Sequence, residues 1–327
     1  MTNPDRRTAL TQSANVTAVR RGLVIAFVCA TAACLAGYFA TAATSQPAQG
    51  GYQEFSMQVG GKQRSYVLIR PAASGPLPTV VFLHGRGGNA ERMRWTGFDQ
   101  VSQREGFVTV LPNGLAGQWN VFPPGARGTF PWMARGGSAI SVDTDFIKQL
   151  VADLIARQIA DPNRIYIGGV SNGGIMALRM VCDAPKLFAA VGVVSASMPD
   201  YGGQDCHPSK PLPLVMINGT ADDIVPYAGG ATPAGLKVWG TNRTLAFFQK
   251  LNGCESAAQR SVLQQPTWRA MPPIVVNRWS NCSGAPLVLY SVVGGGHEDA
   301  GGRGAGGGFS TAQTLWDFFR DKTTDIN

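Results

Sequence analysis

The residues best placed to do chemistry lie in the run RIYIGGVSNGG at 164–174, where Gly169-Val170-Ser171-Asn172-Gly173 fits the pattern G-x-S-x-G. A serine hydroxyl attacks a carbonyl carbon only when a tight turn projects it and a neighbouring base takes its proton. The flanking positions must be glycine because a side chain there would strike the strand before the turn or the helix after it. The pattern alone is common by chance and fits any glycine-rich turn that carries a serine. Here an apolar strand-like run precedes it and an amphipathic run follows, and that context makes Ser171 the candidate nucleophile.

On such a strand-turn-helix site the acid and then the histidine follow the serine in chain order. The chain has three histidines. His84 lies upstream of the serine, and His207 sits between Cys206 and Pro208. His297 closes the run Val293-Gly-Gly-Gly-His297 after the last strand, on a loop able to carry an imidazole to the serine, and is the candidate base. The acid falls between them, in Asn218-Gly-Thr-Ala-Asp222-Asp223. One of these two carboxylates would fix the imidazole tautomer, and the other would be a solvated turn residue or cap. Two backbone N–H donors must receive the oxyanion: Asn172, directly after the nucleophile, and Arg86 in His84-Gly85-Arg86-Gly87-Gly88. A backbone donor leaves the Arg86 side chain to face an anionic substrate group or solvent.

Positioning these residues requires strands that end where the loops begin. Strands are expected at residues 54–59, 65–70, 79–83, 107–111, 164–168, 190–194, 212–217 and 287–292, several apolar throughout, as sheet strands covered on both faces should be. Helices are expected at 90–105, 143–159, 172–184, 241–251 and 310–321. The helix at 143–159 is the clearest, with Phe146, Ile147, Leu150, Val151, Leu154 and Ile155 at helical spacing behind Asp143 and Asp145. Alternation of the two predicts an α/β protein with a mostly parallel central sheet of about eight strands, wrapped by helices on both faces. The glycine-rich run 294–308 is a loop between a strand and a helix.

Composition sets the compartment and the broad class. At 327 residues, 44% apolar and 15% charged, the chain can bury one large core. Residues 1–43 stand apart: Arg6, Arg7, Arg20 and Arg21 precede an uncharged run from Gly22 to Ala43 with small residues near its end, the pattern of an export signal or N-terminal anchor. Retention of this segment is the one route to the membrane, and the Thr31-Ala32-Ala33-Cys34 run only loosely resembles a lipidation signal. A polar linker is expected at 44–52 and the catalytic domain at 53–327. The net charge of +8 is spread without basic runs, which argues against nucleic acid. Cys29 and Cys34 lie in the signal; Cys182, Cys206, Cys254 and Cys282 remain, an even number suited to disulfides outside the cytosol. Of three possible pairings, the near-neighbour one is preferred. The chain has no CxxC and its histidines are scattered, so no metal is expected.

With these residues placed, the sequence resembles the secreted polyhydroxybutyrate depolymerase and feruloyl/acetylxylan esterase group of α/β-hydrolases, over about residues 52–322. The resemblance rests on VVFLHG at 80–85, EGFVTVLPNG at 105–114, DPNRIY at 161–166, VSNGG at 170–174, FAAV at 188–191, GTAD at 219–222 with VPY at 225–227, and GGGH at 294–297. It implies the α/β-hydrolase fold, a serine esterase activity without cofactor, Asp222 as the acid, and cysteine pairs 182 with 206 and 254 with 282. Asn218 stands where these enzymes often have His, and Glu298-Asp299 follow His297 where Thr and an aromatic are usual, which puts the substrate rim in question. The insert 117–137 carries Trp119, Phe122, Phe130 and Trp132, able either to wall an aromatic or polyester cleft, with Trp119 and Trp132 as its candidates, or to plug the core beneath a lid.

The resulting expectation is a secreted or cell-envelope serine esterase that forms an acyl-enzyme on hydroxyalkanoate oligomers or on feruloyl or acetyl sugar esters. Two other classes share the features. An envelope acyltransferase would use the same triad while shielding the acyl-enzyme from water, and a carbohydrate-binding protein would keep the scaffold without turnover. A peptidase is chemically possible, though the resemblance argues against it.

Overall fold

A computed structural model describes residues 51–122, 140–201, 205–255, 257–263, 273–282, 285–298 and 309–324. The expected export segment and most of the linker lie outside them, as do Phe130 and Trp132. Twelve strands are found among the described residues: β1 (Gly51–Val59), β2 (Lys62–Arg70), β3 (Leu77–Leu83), β4 (Val108–Pro112), β5 (Ala160–Val170), β6 (Ala190–Val194), β7 (Leu214–Gly219), β8 (Gly229–Ala231), β9 (Lys237–Trp239), β10 (Gln259–Leu263), β11 (Ile274–Trp279) and β12 (Leu287–Val292). Ten of them form one sheet in the order β1-β2-β4-β3-β5-β6-β7-β12-β11-β10. The central six are parallel, and antiparallel pairs flank them on both sides. Apolar residues on both faces explain the difference: β4, β6 and β7 are buried at every position, as parallel strands covered by helices must be. By contrast β1 alternates half-buried and exposed residues, the mark of a strand with one face in water.

The eight expected strands all occur, and the sheet gains β10 and β11. Strand β10 is almost wholly exposed and carries no apolar alternation, so only its pairing with β11 holds it extended. The expected linker shortens, because Gly51 and Tyr52 already pair with Arg70 and Ile69 in β1.

The described helices are α1 (Phe98–Glu105), α2 (Ile140–Ala156), α3 (Asn172–Asp183), α4 (Thr241–Leu251) and α5 (Thr311–Phe319). The helix expected over 90–105 is broken. A short 3-10 turn, Glu91–Thr96, ends at Gly97, whose φ of 78° stops the helix before α1 starts. Helices and sheet bury two apolar clusters. One joins Val81, Leu83 and Ile167 to Phe146, Leu150 and Met176; the other joins Val80, Phe82 and Tyr166 to Phe98, Leu315 and Phe319. Disulfides Cys182–Cys206 and Cys254–Cys282 tie the ends of α3 and α4 to the chain that follows each, the pairing implied by the resemblance.

Between β3 and its neighbours the winding reverses, since β4 lies on one side of β3 and β5 on the other. At such a switch point the loops at the carboxyl ends of adjacent strands diverge and leave a crevice. The loops after β3, β5, β7 and β12 carry the candidate chemistry to that one edge.

Candidate active site

Ser171 occupies the turn between β5 and α3 with φ 55° and ψ −123°, a conformation that L-residues seldom adopt and that surrounding structure must enforce. The enforcing contacts are backbone ones. The Ser171 N–H donates to Val194 O at 2.8 Å, and its carbonyl accepts from Ile175 N at 2.9 Å. A Cβ at Gly173 would lie 2.4 Å from the carbonyl oxygens of Leu83 and His84, and one at Gly169 would lie 2.5 Å from the Gly173 carbonyl carbon. Both glycines of the motif are therefore fixed by contact between β3, β5 and α3.

The candidate base and acid arrive on the loops after β12 and β7. His297 Nδ1 lies 2.8 Å from Asp222 Oδ2; the imidazole is 15% exposed and the carboxylate 1%. Asp222 is held by its other oxygen, which accepts from Ile224 N at 2.9 Å and Val225 N at 2.8 Å. Asp223 points to solvent. The two loops meet because residue 219 is glycine: a Cβ there would sit 2.4 Å from Gly295 O. Ser171 and His297 line one cavity, of about 310 Å³, with Gly85 and Arg86. Asn218 links the end of β7 to the chain after β6: its amide accepts from Ala196 N and donates to Ala196 O and Thr241 Oγ1.

Three partners of this constellation escaped sequence reasoning. Ser195, at the end of β6 with φ 48°, donates its hydroxyl to the His297 carbonyl at 2.7 Å. That bond anchors the base to the rigid sheet. Its only sequence signal is a serine closing an apolar strand beside the nucleophile strand. Ser195→Ala is expected to lower kcat about tenfold through small displacement of the imidazole, with KM for p-nitrophenyl butyrate little changed. An unaltered kcat would show that the loop holds His297 without this bond.

The second is the Asn172 side chain, which accepts from Trp119 N at 2.7 Å and donates to Trp119 O at 3.0 Å. The third is His84. Its Nδ1 donates to Gly85 O at 2.7 Å while Nε2 accepts from Gly114 N at 2.9 Å, which specifies a neutral ring, and burial lowers its pKa from the ordinary histidine value. With both nitrogens committed to backbone, His84 shapes the loop that bears Arg86.

Trp119 does not wall a substrate cleft. It is 1% exposed, its indole N–H donates to His84 O at 3.0 Å, and Asn172 holds both of its backbone polar groups, so it is a core wedge beneath the loop. Phe122 from the same insert does line a cavity: about 420 Å³, bordered by Ser171, Asn172, Arg86, Val121, Ile175 and Leu236 among others. Arg86 and Asn172 border this cavity together with Ser171. Among the described residues no cluster of three or more His, Cys, Asp or Glu is placed to hold a metal ion.

Comparison with known proteins bears on what this edge does. The family model described as esterase PHB depolymerase matches residues 64–231, a span that contains Ser171, Asp222 and the loop of Arg86. The chain belongs to this esterase family. Among curated proteins it is 30% identical to the putative esterase NocK of Nocardia uniformis subsp. tsuyamanensis, over 75% of this chain and 73% of that protein. It is 25% identical to feruloyl esterase B of Piromyces equi over 69% of this chain, and spans only 40% of that longer protein. Among solved structures, an acetyl xylan esterase from Aspergillus awamori superposes with TM-score 0.56 at 16% identity, covering 83% of this chain and 99% of that one. The fold is therefore the α/β-hydrolase fold, with ten strands in place of the expected eight. The enzyme class read from the sequence, a carboxylic ester hydrolase, is the class of this family.

Proposed function

We propose that this chain is an extracytoplasmic serine esterase working through an acyl-enzyme, a reading carried by the 2.8 Å contact of His297 Nδ1 with Asp222 at the cavity that Ser171 lines. His297 takes the Ser171 proton as the Oγ–C bond forms, Asp222 steadies the imidazolium, and the Asn172 and Arg86 amides receive the oxyanion. The imidazolium then protonates the alkoxide as the C–O bond breaks. Water, activated by the same imidazole, releases the acid. Two disulfides and the basic-then-apolar N-terminal run support an address outside the cytoplasm.

Proton delivery also orients the ester. The alcohol must leave on the side that holds the imidazole, which is the 310 Å³ cavity; His297 does not line the 420 Å³ one. The acyl group accordingly enters the larger cavity, bordered by Val121, Phe122, Ile175, Val225 and Leu236. An apolar wall of that size suits an acyl group longer than acetyl. Each buried methylene adds up to ~0.8 kcal/mol, so p-nitrophenyl butyrate is expected to exceed the acetate by roughly tenfold in kcat/KM. Methyl ferulate or a hydroxybutyrate oligomer should likewise outrun acetylated xylan. Preference for acetyl esters across that panel would refute the assignment of the acyl cavity; hydrolysis of none would refute the esterase reading.

A further inference from the structure

The cavity assigned to the departing alcohol has a charge pattern that the reaction itself does not need. Arg86 and Arg92 line it together with Trp95, Glu298, Ser171 and His297. Among the described residues its lining thus includes two arginines and one glutamate. The acyl cavity, by comparison, has Arg86 alone at its border and aliphatic or aromatic side chains over most of its wall. Hydrogen bonds tie Arg92 to the neighbouring loop. Arg92 donates one N–H to Gly87 O at 3.2 Å, its backbone N–H donates to Asn89 Oδ1 at 2.8 Å, and Gly87 in turn is bonded to Gly117 O at 2.8 Å. The Arg92 side chain thus bonds to the loop that carries Arg86, and both residues line the alcohol cavity.

Cationic groups held on one side of a cleft concentrate substrates of opposite sign and favour them in the bound complex. We infer that the alcohol cavity selects esters whose alcohol half carries a carboxylate, recognised by Arg86 and Arg92 and opposed by Glu298. The inference rests on the proposed esterase activity and on the orientation that proton delivery imposes. The chemistry of the step is unchanged: the Ser171 Oγ–C bond forms, the C–O bond to the alcohol breaks, and the proton from Oγ passes through His297 to the departing oxygen. The carboxylate stays ionised throughout and takes no part in bond making. It contributes only to which alcohol is held where that proton arrives.

A matched pair of butyrate esters tests this, 4-(carboxymethyl)phenyl butyrate and 4-(carbamoylmethyl)phenyl butyrate. They share an acyl group, a size and nearly the same phenol basicity, because the methylene insulates the ring. The carboxylate ester is expected to be preferred about fivefold in kcat/KM at low ionic strength, a scale set by partly exposed ion pairs. The preference should shrink in ~0.5 M salt. Arg92→Glu should abolish or reverse it, and Glu298→Gln should raise it. Each ratio is taken within one preparation, so a poorly folding variant lowers both rates together and leaves the ratio readable. A wild-type ratio of one or below, or a preference that Arg92→Glu leaves intact, would overturn the inference while the esterase reading stands. Hydrolysis of neither ester would overturn both.

Discussion

Ser171→Ala is expected to lower kcat/KM for p-nitrophenyl butyrate by at least ~10⁴-fold, the scale seen when a triad nucleophile is removed. The fold should survive this change. What holds the turn is backbone: Ser171 N to Val194 O, Ile175 N to Ser171 O, and the close packing at Gly169 and Gly173. Alanine keeps the Cβ and loses only the oxygen. The unfolding midpoint should therefore shift by no more than about 1 kcal/mol equivalent, and labelling by a fluorophosphonate should vanish while the circular dichroism spectrum is retained. Activity surviving in a well-folded Ser171→Ala protein would end the covalent mechanism, and with it the orientation argument that divides the two cavities.

The second large effect is expected at Asp222. In Asp222→Asn the retained side-chain oxygen can still accept from Ile224 N and Val225 N, so the turn is preserved. The other position becomes an N–H₂ group facing His297 Nδ1, now 2.8 Å from a carboxylate oxygen. Two donors cannot share that line, so the imidazole carries its proton on Nε2, the nitrogen that must receive the serine proton. A loss of ~10⁴ in kcat is the scale for a triad trapped in the wrong tautomer. Asp223→Asn is the internal control. Its side chain is exposed and the carboxylate that meets the imidazole is that of Asp222, so its rate should stay within about twofold of the wild type, as for a surface change. The reverse outcome, a crippled Asp223→Asn variant beside an active Asp222→Asn variant, would assign the acid to the neighbour.

Much of this site was legible because its signals are local. The glycines of the serine motif are dictated by distances of 2.4–2.5 Å to neighbouring backbone, and such steric demands leave a mark on the residues themselves. Apolar runs at 79–83, 164–168, 190–194 and 212–217 announced the parallel strands, since burial on both faces excludes polar residues from most positions. Strand β10 left no such mark, because pairing to β11 through backbone bonds asks little of its side chains. Gly97 was visible, yet its positive φ, which splits the expected helix, depends on where the chain must turn to pack α1.

Trp119 marks the limit most clearly. As a residue type it suits a cleft wall or the core equally well, and only the closure of the Asn172 amide on its backbone, with its indole on His84 O, put it inside. Ser195 shows in the sequence only as a serine closing an apolar strand, for the same reason: a hydroxyl that meets a carbonyl 102 positions away leaves no short-range pattern of that contact. The sequence alone determined the residue types, their order along the chain and the alternation that yields a parallel sheet, because local sterics and burial fix these. The tertiary structure alone decided which aromatic is core, which cavity holds the base and what anchors the loop of that base, because each depends on strands distant in sequence ending at one edge of the sheet.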